Sequence, residues 1–156
     1  MTLVLCASLL ACGRIGNAPK TFSVSEMSIT LTEQFKETPT DQYTARYDSA
    51  EASVMVVKRK FTALGKLQGC TLREYAQLML ETNRPDDSLT LQTQDGLTYF
   101  EQEHVQGDSQ ERYTYMVVIY ESQKAFWMVQ FITKTEKLGE YRPQFWTWAK
   151  SVTFSE

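Results

Sequence analysis

The sequence is poor in the residues on which several classes of protein depend. Among its 156 residues are three cysteines, one histidine, four prolines and seven glycines. Three cysteines are too few for a disulfide scaffold, and a net charge of -3 argues against a general nucleic-acid-binding protein. Hydrophobic residues make up 42% and charged residues 22%. These ordinary values exclude disorder, collagen and a long coiled coil, and they predict one globular domain that folds without a metal or disulfide.

Sequence motifs for catalysis and cofactor binding are also missing. The chain has no P-loop, no Gly-x-Ser-x-Gly elbow and no Gly-x-Gly-x-x-Gly segment. Its spacing of His, Cys, Asp and Glu matches no zinc site. A hydrolytic pair would need Cys70 beside His104 and an orienting carboxylate, and nothing in the sequence places them together. We therefore predict a protein that is not an enzyme and uses no cofactor or metal, with Cys70 either a small buried apolar residue or a reactive thiol.

An apolar segment opens the chain. Residues 3–11 are almost wholly apolar and uncharged, but nine residues are too few to span a bilayer as a helix, which needs about 20. This length is typical of the central part of a signal peptide. The run ends in Leu9-Leu10-Ala11-Cys12, which resembles the lipobox of bacterial lipoproteins. The alternative is an apolar N-terminal strand or helix that packs on the core.

The lipobox resemblance implies an organisation for the whole chain. Residues 1–11 would be a removable signal peptide, residues 12–20 a diacylated Cys12 followed by a tether, and residues 21–156 a single globular domain. One departure from a typical signal peptide is that only Met1 and Thr2 precede the apolar run, and neither is basic. The expected location is the cell membrane or outer envelope, on the extracytoplasmic side, with the membrane bound through the lipid.

Alternating polarity predicts strands in the first part of the domain. Met27, Ile29 and Leu31 alternate with small polar residues, as in a strand buried on one face. We predict strands over 21–24, 27–31, 42–47 and 52–60, the last two as a hairpin, and a loop over 61–69. A capping box then begins a helix, because Thr71 can cap its first turn and Glu74 can reach back. Pro85 is expected to end this helix.

The second half of the domain predicts a meander and a C-terminal helix. Strands are expected over 89–94, 97–105, 111–121 and 125–133, and Asp95-Gly96 is typical of a type I′ turn. The last two strands are apolar on both faces, so a layer must cover each face. The helix that begins after Thr71 covers one face. A helix over 139–151, with Pro143 in its first turn, covers the other. We predict an α+β fold with a largely antiparallel sheet and helices on both faces.

The order of elements and the end of the chain resemble a known architecture. N-terminal strands, a helix, a meander and an aromatic C-terminal helix follow one another. The ending combines an aromatic strand over 125–131 with Tyr141-x-Pro143-x-Phe145 and Ser151-Val152-x-Phe154. Both features resemble the PsbP/DcrB-like α/β/α sandwich of small envelope proteins. The resemblance implies that fold and a non-enzymatic accessory role, and it assigns no functional residue to this chain.

Charge is distributed unevenly along the chain. Residues 52–73 contain five basic and no acidic residues, whereas residues 86–111 contain seven acidic residues and no Lys or Arg. This pattern predicts a basic pole, with Lys58, Arg59 and Lys60 as candidate partner contacts, and an acidic pole. The basic pole would suit anionic lipid headgroups and the acidic pole a cationic partner. The alternative is that these charges are solvated strand ends that prevent aggregation.

Two functions follow from these observations. We predict a lipid-anchored, non-catalytic binding or assembly module of the bacterial cell envelope, with a protein partner there and no nucleic acid. Trp146 lies away from the apolar stripe of the C-terminal helix, so it either packs on the rim of the sheet or contacts the partner. The alternative is a small-ligand carrier with an apolar pocket between helix and sheet, lined by Phe100, Tyr115 and Trp127.

Overall fold

The computed structural model describes residues 17–83 and 89–155, so Cys12 and Pro85 lie outside the described residues. The described chain has two helices, α1 (Leu72–Asn83) and α2 (Leu138–Lys150). The strands are β1 (Pro19–Val24), β2 (Met27–Thr32), β3 (Lys36–Glu37), β4 (Ala45–Asp48), β5 (Ala52–Lys60), β6 (Gln92–Gln94), β7 (Leu97–Gln106), β8 (Glu111–Glu121), β9 (Ala125–Lys134) and β10 (Thr153–Phe154). Neither helix is long and apolar enough to span a membrane.

A seven-stranded antiparallel sheet forms the centre of the domain. Its order is β3-β4-β5-β9-β8-β7-β6, so the predicted four-strand meander forms one half of it. Strand β9 is central and pairs with β5 from Thr133 opposite Ala52 to Ala125 opposite Lys60. The turn between β6 and β7 is also as predicted, because Asp95 and Gly96 both have positive φ angles of 52° and 80°.

Helix α1 covers one face of this sheet. Tyr75, Ala76 and Leu80 of α1 are buried against apolar side chains of the strands, among them Phe100 and Phe126. The helix begins as its capping box predicts, with the Glu74 backbone N–H 3.3 Å from the Thr71 hydroxyl and the Thr71 backbone N–H 2.8 Å from the Glu74 carboxylate. The segment predicted as a loop before it contains two short 3₁₀ turns, Phe61–Ala63 and Gly65–Leu67.

Helix α2 and a second, three-stranded sheet share the opposite face. The small sheet has the order β1-β2-β10, and the alternating Met27, Ile29 and Leu31 of β2 are buried as predicted. Phe145 and Trp148 of α2 pack with them against the large sheet. The prediction that layers cover both faces of the large sheet is therefore confirmed, and the domain is α+β. The small sheet was not predicted; it covers this face together with α2.

Several boundaries differ from the sequence prediction; β4 and β6, for example, each begin three residues later than predicted. Pro19 and Lys20, assigned to the tether, belong to β1, because β2 extends far enough for Thr32 to pair with Pro19. Helix α2 begins at Leu138, after a 3₁₀ turn over Thr135–Lys137, so Pro143 lies inside the helix and not in its first turn. Proline there removes the bond to the carbonyl of Gly139, and this residue is exposed, so water can take the place of the missing N–H.

Candidate functional site

The carboxyl end of β5 carries the three predicted basic contacts, but they do not form one patch. Successive side chains of a strand point to opposite faces. Lys58 lies over the ring of Trp127, on the face shared with the small sheet. Arg59 lies on the α1 face beside the hydroxyl of Tyr75. Lys60 lies again on the first face, so these three candidate partner contacts are divided between the two faces of the sheet.

Lys58 is neutralised by a carboxylate from the small sheet. Its Nζ atom lies 2.5 Å from Oε2 of Glu26, which belongs to the turn between β1 and β2. The same Nζ atom lies 4.9 Å from the ring centre of Trp127. The hydrogen bond from Lys58 lowers the pKa of the Glu26 carboxyl below its ordinary value. Lys58 is therefore an internal contact that holds the β1–β2 turn against the large sheet.

A cleft of about 700 Å³ opens beside this ion pair. The β1–β2 turn, the end of β5, the β8–β9 turn and β10 surround it, through Glu26, Lys60, Lys124 and Phe154 among others. The ring of Phe154 packs 5.5 Å from that of Trp127, centre to centre, and gives the cleft an aromatic wall. Its volume lies within the range of about 300–1,000 Å³ that is usual for ligand sites.

The other two lysines of the cleft, Lys60 and Lys124, form no ion pair in the described part of the chain, although Glu26 lies near enough to Lys124 for their charges to interact. Both lysines are exposed. A backbone hydrogen bond of 2.9 Å from Phe61 N to Lys124 O holds the two chain segments together. Lys66 and Arg73, which follow β5 and begin α1, are likewise exposed and unpaired in this described part. We call Lys60, Lys66, Arg73 and Lys124 the cationic end.

The acidic segment, by contrast, is largely compensated. Cations of β8, β9 and α2 pair with its carboxylates, as Glu103 with Arg112, Glu111 with Lys134, Glu101 with Arg142 and Asp95 with Lys150. The prediction of an acidic pole is therefore wrong for these four carboxylates, because distant parts of the chain bring basic side chains to them. Asp108 is exposed, and residues 86 and 87 lie outside the described residues.

Trp146 packs on the rim of the sheet. Its ring meets that of Tyr99 edge to face, with the ring centres 4.8 Å apart, and it is half-buried. Of the two alternatives for Trp146, packing on the rim of the sheet and contact with a partner, the structure shows the first contact. The residue does not line the 700 Å³ cleft.

The three residues predicted to line an apolar ligand pocket do not share a face. Phe100 and Tyr115 belong to the core beneath α1, whereas Trp127 belongs to the core beneath α2 and the small sheet. Phe100 and Trp127 are 1% and 0% exposed. A single pocket lined by all three is therefore excluded, because the sheet itself separates them and the space around two of them is filled.

Cys70 and His104 have separate surroundings. Cys70 is half-buried and packs with the α1 core. The imidazole of His104 lies edge-on to Tyr115, with ring centres 4.9 Å apart. No hydrogen bond joins the two side chains, and no group of three possible metal ligands occurs, in the part of the chain that the structure describes.

The described chain begins at the end of the domain opposite to the cleft. Asn17 lines a small cavity of about 150 Å³ together with Phe35, Glu51 and Glu140. From Pro19, β1 runs to Val24, next to the Ser25-Glu26 turn that reaches the cleft. Six residues of strand at about 3.3 Å each separate the two ends by about 20 Å.

Of the residues that line the cleft, the sequence indicated only Lys58 and Lys60 as candidates; Glu26, Lys124 and Phe154 are among those that it did not indicate. Lys124 lies between two predicted strands, and the pairing of Lys60 with Ala125 puts Lys124 next to Lys60. No local pattern in β5 or β9 predicts that these two strands pair. Nothing local to Glu26 or Phe154 predicts that β10 pairs with β2 beside them.

Comparison with known proteins shows the fold alone. No protein-family model and no curated protein matches the sequence. The solution structure of cyanobacterial PsbP (CyanoP) from Synechocystis sp. PCC 6803 matches with a TM-score of 0.58 and 12% identity, over 94% of this chain and 99% of that one. LpqN, involved in cell envelope biogenesis of Mycobacterium tuberculosis, matches with a TM-score of 0.51 and 10% identity, over 89% and 91%.

A third solved structure, from Bacteroides thetaiotaomicron, matches with a TM-score of 0.59 and 12% identity. It covers 88% of this chain, which spans 48% of that larger protein. These three similarities agree with the fold predicted from the sequence, an antiparallel sheet with helices on both faces. The chain has the PsbP-like α+β fold.

Proposed function

We propose that this protein is a lipid-anchored, non-catalytic binding module of the bacterial cell envelope. Diacylated Cys12 holds it to the membrane, and the domain meets a protein partner on the extracytoplasmic side. The observation that supports this proposal is the separation of the chain's entry point from the cleft. Asn17 lies at one end of the domain, and Lys60 and Lys124 lie at the other.

The short chain between Cys12 and the domain determines how the domain is oriented at the membrane. Between Cys12 and Ala18 the chain spans at most about 20 Å when fully extended. An anchor at Cys12 therefore keeps the Asn17 end near the membrane surface and leaves the cleft on the far side, accessible to a partner. Two acyl chains suffice for stable anchoring.

The comparisons support the envelope part of the proposal. LpqN, which shares the fold, acts in cell envelope biogenesis. Fold alone does not determine activity, so the non-catalytic role is proposed from the separate surroundings of Cys70 and His104. The alternative of a carrier with one pocket lined by Phe100, Tyr115 and Trp127 is not retained, because the sheet separates Trp127 from the other two.

Fractionation of cells that produce the full chain tests the anchor. The wild-type protein is expected in the membrane fraction, to resist extraction by high salt and to be released by detergent. Cys12→Ser is expected in the soluble fraction. Cys6→Ser is the matched control, since it removes a thiol from the same segment and should leave the protein in the membrane. Retention of Cys12→Ser in the membrane would contradict the proposal.

A further inference from the structure

We propose that the cleft at the cationic end binds an acidic, carboxylate-rich segment of a protein partner. This inference deepens the proposed function, on which it rests for the orientation of the domain. The first argument is the asymmetry of charge compensation. Four carboxylates of the acidic segment are paired by basic side chains, whereas neither Lys60 nor Lys124 forms an ion pair within the described residues. The carboxylate nearest to Lys124 in charge interaction is that of Glu26, which is already paired with Lys58.

The acidic residues near the cleft do not cancel this charge. Glu26 is engaged by Lys58 at 2.5 Å. Glu74, at the start of α1, accepts hydrogen bonds from the backbone and hydroxyl of Thr71. Glu74 keeps its negative charge, because these donors are neutral, and Glu121 is exposed and lines the cleft. Together they offset two of the four charges of the cationic end. The amino-terminal end of α1 adds a partial positive charge.

The shape of the site favours a protein segment over a membrane surface. Lys60 and Lys124 stand at a concave cleft with Phe154 in its wall, and a flat bilayer cannot enter such a space. An anchor at Cys12 also turns this end away from the membrane. The cleft therefore fits a protein segment better than anionic lipid. This changes the expectation that the basic residues face lipid headgroups.

The extent of the charge favours a segment longer than a small molecule. Lys66 and Arg73 lie outside the cleft, where the chain passes from β5 to α1 on the other side of the sheet. Phe61 and Tyr75 both contact Phe126, which fixes this passage against the same end of the sheet. An extended acidic chain can place one carboxylate in the cleft and others along its rim.

Charge complementarity of this kind sets association rate and specificity. It also makes binding depend on ionic strength, because raising salt from about 0.1 to 1 M shortens the screening length from about 10 to 3 Å. Phe154 offers an apolar contact that salt does not weaken. Binding should therefore fall steeply with salt without vanishing.

The test uses the full chain in detergent and a dye-labelled hexaglutamate peptide, with fluorescence anisotropy as the readout. Hexaglutamine is the neutral control peptide. We expect Lys60→Gln with Lys124→Gln to weaken hexaglutamate binding about tenfold. The matched control is Lys20→Gln with Lys36→Gln, which removes two exposed positive charges from β1 and β3. This control should bind within about twofold of wild type.

Several results would overturn the inference. These are equal weakening by the control pair, equal binding of hexaglutamine, and binding to phosphatidylglycerol vesicles by the cationic end without binding to the peptide. Urea unfolding of each variant verifies that it folds. Repeating the titration with Cys12→Ser separates the two proposals, because peptide binding by that variant supports the cleft whether or not Cys12 carries a lipid.

Discussion

Tyr47 provides a prediction in which removing a polar group stabilises the protein. Its side chain is 1% exposed, packs 4.7 Å from Phe22 between ring centres, and has a hydroxyl without a hydrogen-bond partner in the described structure. Burying such a hydroxyl costs roughly 1–3 kcal/mol. Tyr47→Phe keeps the ring and removes the unsatisfied group.

We expect Tyr47→Phe to raise the free energy of unfolding by about 1 kcal/mol, because it removes the cost of the unsatisfied hydroxyl. The gain is at the low end of the roughly 1–3 kcal/mol that burying such a hydroxyl costs, since the packing contacts of the oxygen are lost as well. This corresponds to an increase in Tm of about 3 °C for a domain of this size. Urea unfolding at neutral pH, followed by circular dichroism, measures the change. Tyr120→Phe is the matched control, because the buried Tyr120 hydroxyl donates a 2.9 Å hydrogen bond to Ala149 O in α2. The control should lose about 1–2 kcal/mol.

Alkaline pH gives a second readout of the same residue. Burial, with Glu37 nearby, raises the pKa of Tyr47 to about 12, whereas tyrosine in the unfolded chain ionises near pH 10. The neutral form stabilises the fold fully below about pH 10, and this contribution is lost as pH rises through about 12. Tyr47→Phe should therefore lose less stability than wild type between about pH 10 and 12. A Tyr47→Phe protein less stable than wild type at neutral pH would refute the reasoning.

Three further substitutions test other contacts. Thr71→Ala removes the α1 cap and should destabilise by about 1 kcal/mol in urea unfolding, with Thr93→Ala in the exposed β6 as a near-neutral control. Glu26→Gln should destabilise the protein at neutral pH and by less at low pH. The pKa of Glu26 is lowered in the folded protein, so its pairing with Lys58 is complete above about pH 4.5 and is lost as pH falls further. Stability curves of wild type and variant that stay parallel across this pH range would contradict this prediction. Trp146→Ala removes the contact with Tyr99 and should lower the free energy of unfolding by roughly 1–3 kcal/mol. Hexaglutamate binding should stay unchanged. Weaker peptide binding by the folded variant would instead place Trp146 at the partner surface.

Local chemistry made several elements predictable from the sequence. Thr71 and Glu74 lie within one helical turn, so their reciprocal hydrogen bonds depend on no other part of the chain. Asp95-Gly96 similarly determines its own turn. The two-sided apolar pattern of β8 and β9 predicted covering layers because buried strands have no polar face.

The binding cleft was not predictable in the same way. Its walls come from the β1–β2 turn, the end of β5, the β8–β9 turn and β10, and only the pairing of β5 with β9 and of β10 with β2 brings them together. Summing charge along a segment also misled, because Glu101 and Asp95 are neutralised by Arg142 and Lys150 of α2, which lie far along the chain. A linear pattern shows which residues are charged, and tertiary pairing decides which charges remain uncompensated.

We propose that Cys12 anchors a binding module in the envelope. The most direct test of this proposal is the mass spectrum of the N-terminal peptide of the protein extracted from its native membranes. If Cys12 is the anchor, the chain begins at Cys12 and carries the mass of a diacylglyceryl group on that residue. An intact, unmodified chain that still begins at Met1 in the membrane fraction would contradict it.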